Sequence, residues 1–481
     1  MRRALLTVSA LAALVAPAAA YAGFSPNDPL AGRQWYIEKD RAFNSFDSFN
    51  VLPQLLTVKV AVIDSGVDQT HPELRGRIVD ARTFVGGTSN DTQGHGTFVA
   101  GEIAALTDNK VGIAGLAPPA RLLIARVVRD DGSIPPLAEA RAIRWAVRMG
   151  AKVVNLSFAG TRDPSDPSVD GFSYQERRAI DFAVRNSALV VAAVGNGVDA
   201  PAKPWRFAGY PAALPHVLGV AAYGRSGEVP SFSNRDDVYV DLAAPGQDML
   251  SLLPRSLTKK ASPSCLDQGY SDCGTKEFRG ADGTSFSSPQ VAAAAAMLFS
   301  LSPGVRPDQV SAILERNADD ATPADGCSGC SVGRDSLTGN GRLDVTAAIR
   351  ALKGPLPPPD RLEPNDDTGI EAQPVYSGKL RAKATLDSWD DPNDVYAIKL
   401  QRGQRLSVVV RSGELDTSIA LWKPALQSLA TATDNLRAKR SIHPAGNPER
   451  IRFRAHRAGT YYLQVKLASP GSGRYAIRIA S

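Results

Sequence analysis

The chain has 481 residues, room for more than one domain, and 43% of them are hydrophobic, ample for packed cores. Its formal charge is +6, from 55 Lys and Arg against 49 Asp and Glu, and no dense basic block is interleaved with aromatics, which argues against a nucleic-acid partner. Past the first 22 residues no apolar run reaches the ~20 residues that a bilayer-spanning helix needs, so no membrane anchor is expected once that segment is gone.

The first segment, "MRRALLTVSALAALVAPAAAYA", has a positive head, a moderate apolar run and small residues at Ala20 and Ala22. That is the pattern of a secretory signal, with cleavage expected after Ala22 and the product placed in the periplasm or outside the cell. Losing Arg2 and Arg3 leaves 53 basic against 49 acidic residues, a charge of +4. Export also governs the four cysteines, Cys265, Cys273, Cys327 and Cys330. In a reducing compartment "CSGC" would suggest zinc or redox chemistry, but an oxidising one favours disulfides. Three pairings are open, and proximity in sequence favours Cys265–Cys273 and Cys327–Cys330.

After a polar arm over 23–57, apolar runs alternate with helical patterns. Residues 57–64 ("TVKVAVID") read as a buried strand, 96–106 as a helix and 120–128 ("ARLLIARVV") as a strand. A helix follows over 137–150, a strand over 151–158, a helix over 176–187 and a strand over 188–196. This alternation predicts an α/β domain, a parallel sheet flanked by helices on both faces, extending over 23–354. Residues 355–362 are proline-rich and read as a stiff linker. Beyond them, alternating stretches at 394–400, 404–410, 451–456, 460–467 and 474–480 predict a small all-β sandwich over 363–481.

In a parallel sheet, functional groups gather at the carboxyl ends of the strands. Asp64 closes the first strand, and His95 stands between two glycines at the head of a helix. The stretch "GADGTSFSSPQVAAAAAMLF", 280–299, sets hydroxyls on the mouth of a helix that must be buried. One reading makes Ser288 the N-cap and Pro289 the first helical residue. The other makes Ser285 a nucleophile facing the positive end of the helix dipole. Asp64 and His95 have bland readings as well, as a cap and as a structural histidine. Asn196, beside Gly195, fits a plain turn.

Taken in order, "VAVIDSGVDQTHPEL", "GHGTFVAGEIAA", "GIAGLAPPARL", "VVNLSFAG", "VVAAVGNG", "YPAALPHVLGVAA", "VDLAAPG" and "GTSFSSPQVAAAAA" resemble the subtilisin-like serine proteases over about 26–352. The resemblance implies a secreted endopeptidase of broad specificity, a monomer acting on protein or peptide substrates without a cofactor for its chemistry. It makes Ser285 the nucleophile, His95 the base, Asp64 the residue that orients the base, and Asn196 an oxyanion-hole donor. Substrate would lie extended between Gly132, Ser133 and Ile134 on one side and Ser157, Phe158 and Ala159 on the other. Ala159 and Val194 stand where the family usually has smaller residues, so both are expected to narrow the substrate pocket. Gln290 stands where histidine is common, outside the reacting set. Glu73 stands where many members have a calcium-binding aspartate, leaving room for a structural calcium ion. About 40 residues separate the expected cleavage point from Asp64, so no inhibitory pro-segment is expected between them.

The last domain, with "EPNDD" and "AGTYYLQVKL", resembles the bacterial pre-peptidase C-terminal domain, and its acids Glu363, Asp366, Asp391 and Asp394 are a second place for calcium. Two other readings remain at this level: an inert exported binding protein and a serine hydrolase acting mainly on esters. The four intact site residues argue against the first. The absence of a "GxSxG" elbow around Ser285 argues against the second.

Overall fold

The structure, a computed structural model, describes residues 24–46, 55–166, 168–198, 200–258, 277–354, 362, 365–369, 372–387, 391, 393–469 and 471–481. The expected signal segment, residues 355–361 of the linker, and Cys265 and Cys273 lie outside the described residues.

Seven strands form one parallel sheet: β1 (Val58–Asp64), β2 (Ile78–Thr83), β3 (Ala120–Arg126), β4 (Val153–Leu156), β5 (Leu189–Ala193), β6 (Val217–Tyr223) and β7 (Leu242–Pro245). Their order is β2-β3-β1-β4-β5-β6-β7. β1, β4, β5 and β6 are almost wholly buried, as unbroken Val, Ile, Leu and Ala runs demand when both faces of a sheet are covered. The covering helices are α1 (Trp35–Lys39), α2 (His95–Ala104), α3 (Pro136–Arg148), α4 (Tyr174–Arg185), α5 (Ser288–Leu301), α6 (Pro307–Arg316) and α7 (Val345–Ala351). α3 packs with α4, and α2 with α5. A short antiparallel pair, β8 (Met249–Leu252) and β9 (Phe278–Ala281), leads into α5. The alanines of α5 are buried along nearly its whole length, so it lies against β4, β1, β5 and β6 at once. The chain passes from β3 to β4 across β1, which puts the carboxyl end of β1 at the turning point of the sheet, where α/β proteins build their sites.

The last part of the chain is all-β. One sheet runs β10-β12-β17-β14-β15 and the other β11-β18-β13-β16. The strands are β10 (Gln373–Pro374), β11 (Lys379–Asp387), β12 (Asn393–Leu400), β13 (Arg405–Arg411), β14 (Thr417–Trp422), β15 (Arg437–Ile442), β16 (Glu449–Arg454), β17 (Gly459–Leu467) and β18 (Ser472–Ala480). Inward residues such as Tyr396, Ile398, Val408, Leu463 and Ile477 fill a core of their own.

Candidate active site

Asp64 ends β1, buried, and His95 opens α2. Nδ1 of His95 lies 2.8 Å from Oδ1 of Asp64. A carboxylate accepts only, so the ring proton sits on Nδ1 and Nε2 is left with its lone pair. Burial pulls the imidazole pKa down, but the charge and hydrogen bond of Asp64, with Asp91 beyond, outweigh it and raise the pKa above its ordinary value. Gly96 is needed here for close approach: a Cβ on it would stand 2.1 Å from the Gly66 carbonyl oxygen and 3.1 Å from Asp64 Oδ1.

Asp91 fixes the loop that presents His95. One of its oxygens accepts the N–H groups of Gln93 and Gly94, and the other accepts the N–H and hydroxyl of Thr97. Ser65 joins the two halves, donating to Asp91 and accepting the N–H of Gly96. Asp91 is not among the residues singled out from the sequence. Its position four residues before a helical histidine is a capping signal that would have found it.

Ser285 stands in the 3₁₀ turn Thr284–Phe286, and it alone of the three is partly exposed. Phe286 stacks on Phe98 of α2 at 4.4 Å and on the His95 ring at 5.4 Å, so one buried aromatic ties the serine turn to the imidazole. Asn196 follows β5. Its Oδ1 accepts the Thr284 N–H at 2.9 Å and the Thr284 hydroxyl at 2.8 Å, which turns its amide nitrogen toward Gly283. Gly283 has φ of 149°, a backbone that side chains rarely adopt, and a Cβ there would stand 3.2 Å from that nitrogen.

Ser288 does not cap the helix, against the first of the two readings of this stretch. α5 begins at Ser288, Pro289 is its second residue, and no side chain caps it. The 3₁₀ turn runs straight into the helix, so Ser288 is free to donate to Asn155 Oδ1 at 2.7 Å, while Asn155 donates to Ser157. Gln290 donates to the carbonyls of Pro245 and Phe286 and braces the turn from behind.

Ser285 opens on a pocket of about 90 Å³ whose walls include Ala159, Thr161, Asn196, Trp205 and Asn234. Ala159 lines it. Val194 does not. It is fully buried, with Cγ1 3.4 Å from where a Cβ on Gly219 would be, so its extra methyls fill the core and Ala193 takes the pocket side. Ser157 has a buried side chain bonded to Asn155 and leaves only its main chain for a ligand. Phe158 packs on the core. Gly132, Ser133 and Ile134 form a turn in which the Gly132 N–H donates to Arg129 and the Ser133 carbonyl accepts from Arg129.

Residues 57–341 match the sequence profile of the Subtilase family, Peptidase S8, and 392–467 match the bacterial pre-peptidase C-terminal domain. The chain belongs to the subtilase family. It is 34% identical to thermitase of Thermoactinomyces vulgaris over 300 residues, 62% of this chain and 92% of thermitase. It is 33% identical to fervidolysin of Fervidobacterium pennivorans, across 62% of this chain but 41% of fervidolysin. Among solved structures, a protease from Pseudoalteromonas arctica PAMC 21717 aligns with a TM-score of 0.53 and 25% identity, over 68% of this chain and 99% of that one. As a subtilase with these relatives, the chain is a serine endopeptidase, and proteins or peptides are its substrates.

Subtilases often carry calcium, and among the described residues Glu73 offers a place to test for it. Burial, with the nearby charge of Asp28, pushes the Glu73 carboxyl up to about 7, and its Oε2 is buried with no hydrogen-bond partner. Asn109 donates to the other oxygen, and Asp28 accepts the N–H groups of Asp108 and Asn109. A calcium ion would find one orphaned oxygen beside a second carboxylate and would draw most of its six to eight ligands from amides and carbonyls. Among the described residues no three acidic, His or Cys side chains converge to hold a metal. Of the acids of the C-terminal domain, Asp366 pairs with His216 through one oxygen, Asp394 accepts the Tyr475 hydroxyl through one oxygen, and Asp391 is buried. Glu363 lies outside the described residues. Cys327 and Cys330 are joined by a disulfide.

Proposed function

We propose that this subtilase is an exported endopeptidase of broad specificity in which Ser285 attacks the peptide carbonyl, His95 takes and returns the proton, and Asp64 orients the imidazole. The observation that carries this reading is the part-buried His95–Asp64 contact beside Phe286, next to the one partly exposed serine of that turn. Nε2 is the basic nitrogen, and the amide of Asn196 with the main-chain N–H of Ser285 would receive the oxyanion. Residues 1–22 are read as the export signal, 23–354 as the peptidase domain, 355–362 as the linker and 363–481 as the C-terminal domain. Glu73 and Asp28 would hold calcium, which would tie the amino-terminal arm to the 107–112 loop without entering the chemistry.

A serine-directed phosphonofluoridate tests the assignment. It is expected to label Ser285 stoichiometrically and to stop casein digestion in step with labelling. Full digestion by labelled protein, or label on another serine, would sink it.

The pH profile follows from the same contact. Only neutral His95 can take the proton, so activity falls as pH falls through its pKa, which the folded site raises above 6.5. The acid limb of kcat/KM is therefore expected above 6.5, and a limb below that value would contradict the pairing.

A further inference from the structure

The two domains meet through buried charge. Arg177 of α4 lies 3.3 Å from Asp367, and their side chains are 3% and 0% exposed. Arg177 also donates to the carbonyls of Thr368 and Gln427. His216, in the turn before β6, lies 2.7 Å from Asp366. Asp367 in turn builds the loop beside it, accepting the Ser428 hydroxyl and the Leu429 N–H, both at 2.6 Å. That loop carries Ala430, which is buried within the core of the peptidase domain rather than of its own sandwich.

The Ala430 carbonyl faces Arg162 Nη2 at 3.5 Å. Arg162 is otherwise held by peptidase residues: Asp236 at 2.8 Å, with the rings of Tyr239 and Phe207 at 4.8 and 5.4 Å from its guanidinium. Its own carbonyl accepts the indole N–H of Trp205 at 3.0 Å. Thr161 and Trp205 are walls of the pocket onto which Ser285 opens. A guanidinium has five N–H groups, and a buried one stays in place only while acceptors surround it. The contacts thus run without a gap from the sandwich, through Ala430 and Arg162, to the pocket wall.

We propose that the C-terminal sandwich is a docked support behind the wall of the substrate pocket: Asp366 and Asp367 seat it on the peptidase domain, and Ala430 holds Arg162, a positioning residue for Trp205. The inference rests on the proposed function above and takes this pocket as the place of the side chain before the scissile bond. The sandwich then stays with the peptidase as a working part even when the linker is cut.

The test uses the full chain with a specific cleavage site inserted within 355–361. After cutting, the two parts are expected to elute together on size exclusion, with KM unchanged for peptides bearing a large aromatic residue before the scissile bond. Ala430→Trp, which wedges the interface open, is expected to raise that KM roughly three- to tenfold, the worth of about one hydrogen bond. The kcat, the KM for peptides with alanine at that position and the phosphonofluoridate titre should all hold. Arg177→Met is expected to act in the same direction. Cut parts that separate without a change in KM would overturn the proposal. So would an Ala430→Trp variant that separates on cutting yet keeps the parent KM, or a fall in active-site titre equal to the loss of activity. Trp205→Ala separates this failure from the deeper one. If it leaves the aromatic preference untouched, the pocket reading itself is wrong. If it abolishes the preference while Ala430→Trp does not, only the coupling fails.

Discussion

Replacing Ser285 with alanine is expected to lower kcat for peptide hydrolysis on the order of 10⁶-fold, the magnitude known for subtilisin's own nucleophile. His95→Ala should cost about the same, and the double variant should be no worse than either single one. The reason is that the two side chains perform one act. A serine hydroxyl without its base is a weak nucleophile at neutral pH, and a base without the hydroxyl has no proton to take. Once either is gone, the other contributes nothing further to lose. Asp64→Asn should cost less, about 10⁴-fold, because the imidazole remains but its tautomer and its cation lose their support. Thermal stability should change little for Ser285→Ala, whose side chain is partly exposed at the mouth of α5. The check is kcat on a chromogenic peptide beside a melting curve for each variant. Losses that multiply in the double variant would show that the residues act separately, and the mechanism would have to be redrawn.

The strands and helices that carry the site were legible because each is long and follows a single period. The β1 run is apolar at nearly every position, and the pattern after His95 is helical and ends where α2 ends to within two residues. The sheet edges were not legible. β2, "IVDART", is only partly buried and carries charges, so it lacks the apolar run of a central strand. β11 and β15 in the sandwich alternate Lys and Arg with small residues and were missed for the same reason. In the proposed site, Asp64, His95 and Ser285 stood out in the sequence because they sit beside glycines at element ends. Their supports were not found. Asn155 and Thr284 act through contacts between segments distant in sequence, and nothing local distinguishes Asn155 from any polar residue in a strand; Asp91 works on its own loop, on Gln93, Gly94 and Thr97. The alternative reading of Ser288 as a cap is ruled out only in three dimensions: a 3₁₀ turn leads directly into α5, and the Ser288 hydroxyl has a partner across the core. Val194 failed because one residue's step along a strand reverses the face its methyls reach.

Asn196→Ala is expected to lower kcat about 10²- to 10³-fold, some 2.7–4 kcal/mol, the range measured for a single oxyanion donor in subtilisin. KM should stay close to the parent value, because the donor strengthens its bond only as charge develops on the carbonyl oxygen. The amide also has a structural task, since its Oδ1 receives both donors of buried Thr284. Alanine leaves those donors unpaired, so a stability loss of about 1–3 kcal/mol should accompany the loss in rate. Asn196→Asp separates the two tasks. It keeps an acceptor for Thr284 but sets a carboxylate where the oxyanion forms, so the melting temperature should recover while kcat falls further than in the alanine variant. Thr284→Val tests the anchor from the other side. It removes the hydroxyl but keeps the N–H, and a looser amide should cost about tenfold in kcat, the effect of roughly 1.4 kcal/mol. An Asn196→Ala enzyme that raises KM while keeping kcat would mean that the amide binds the ground state, and the oxyanion would then need another donor.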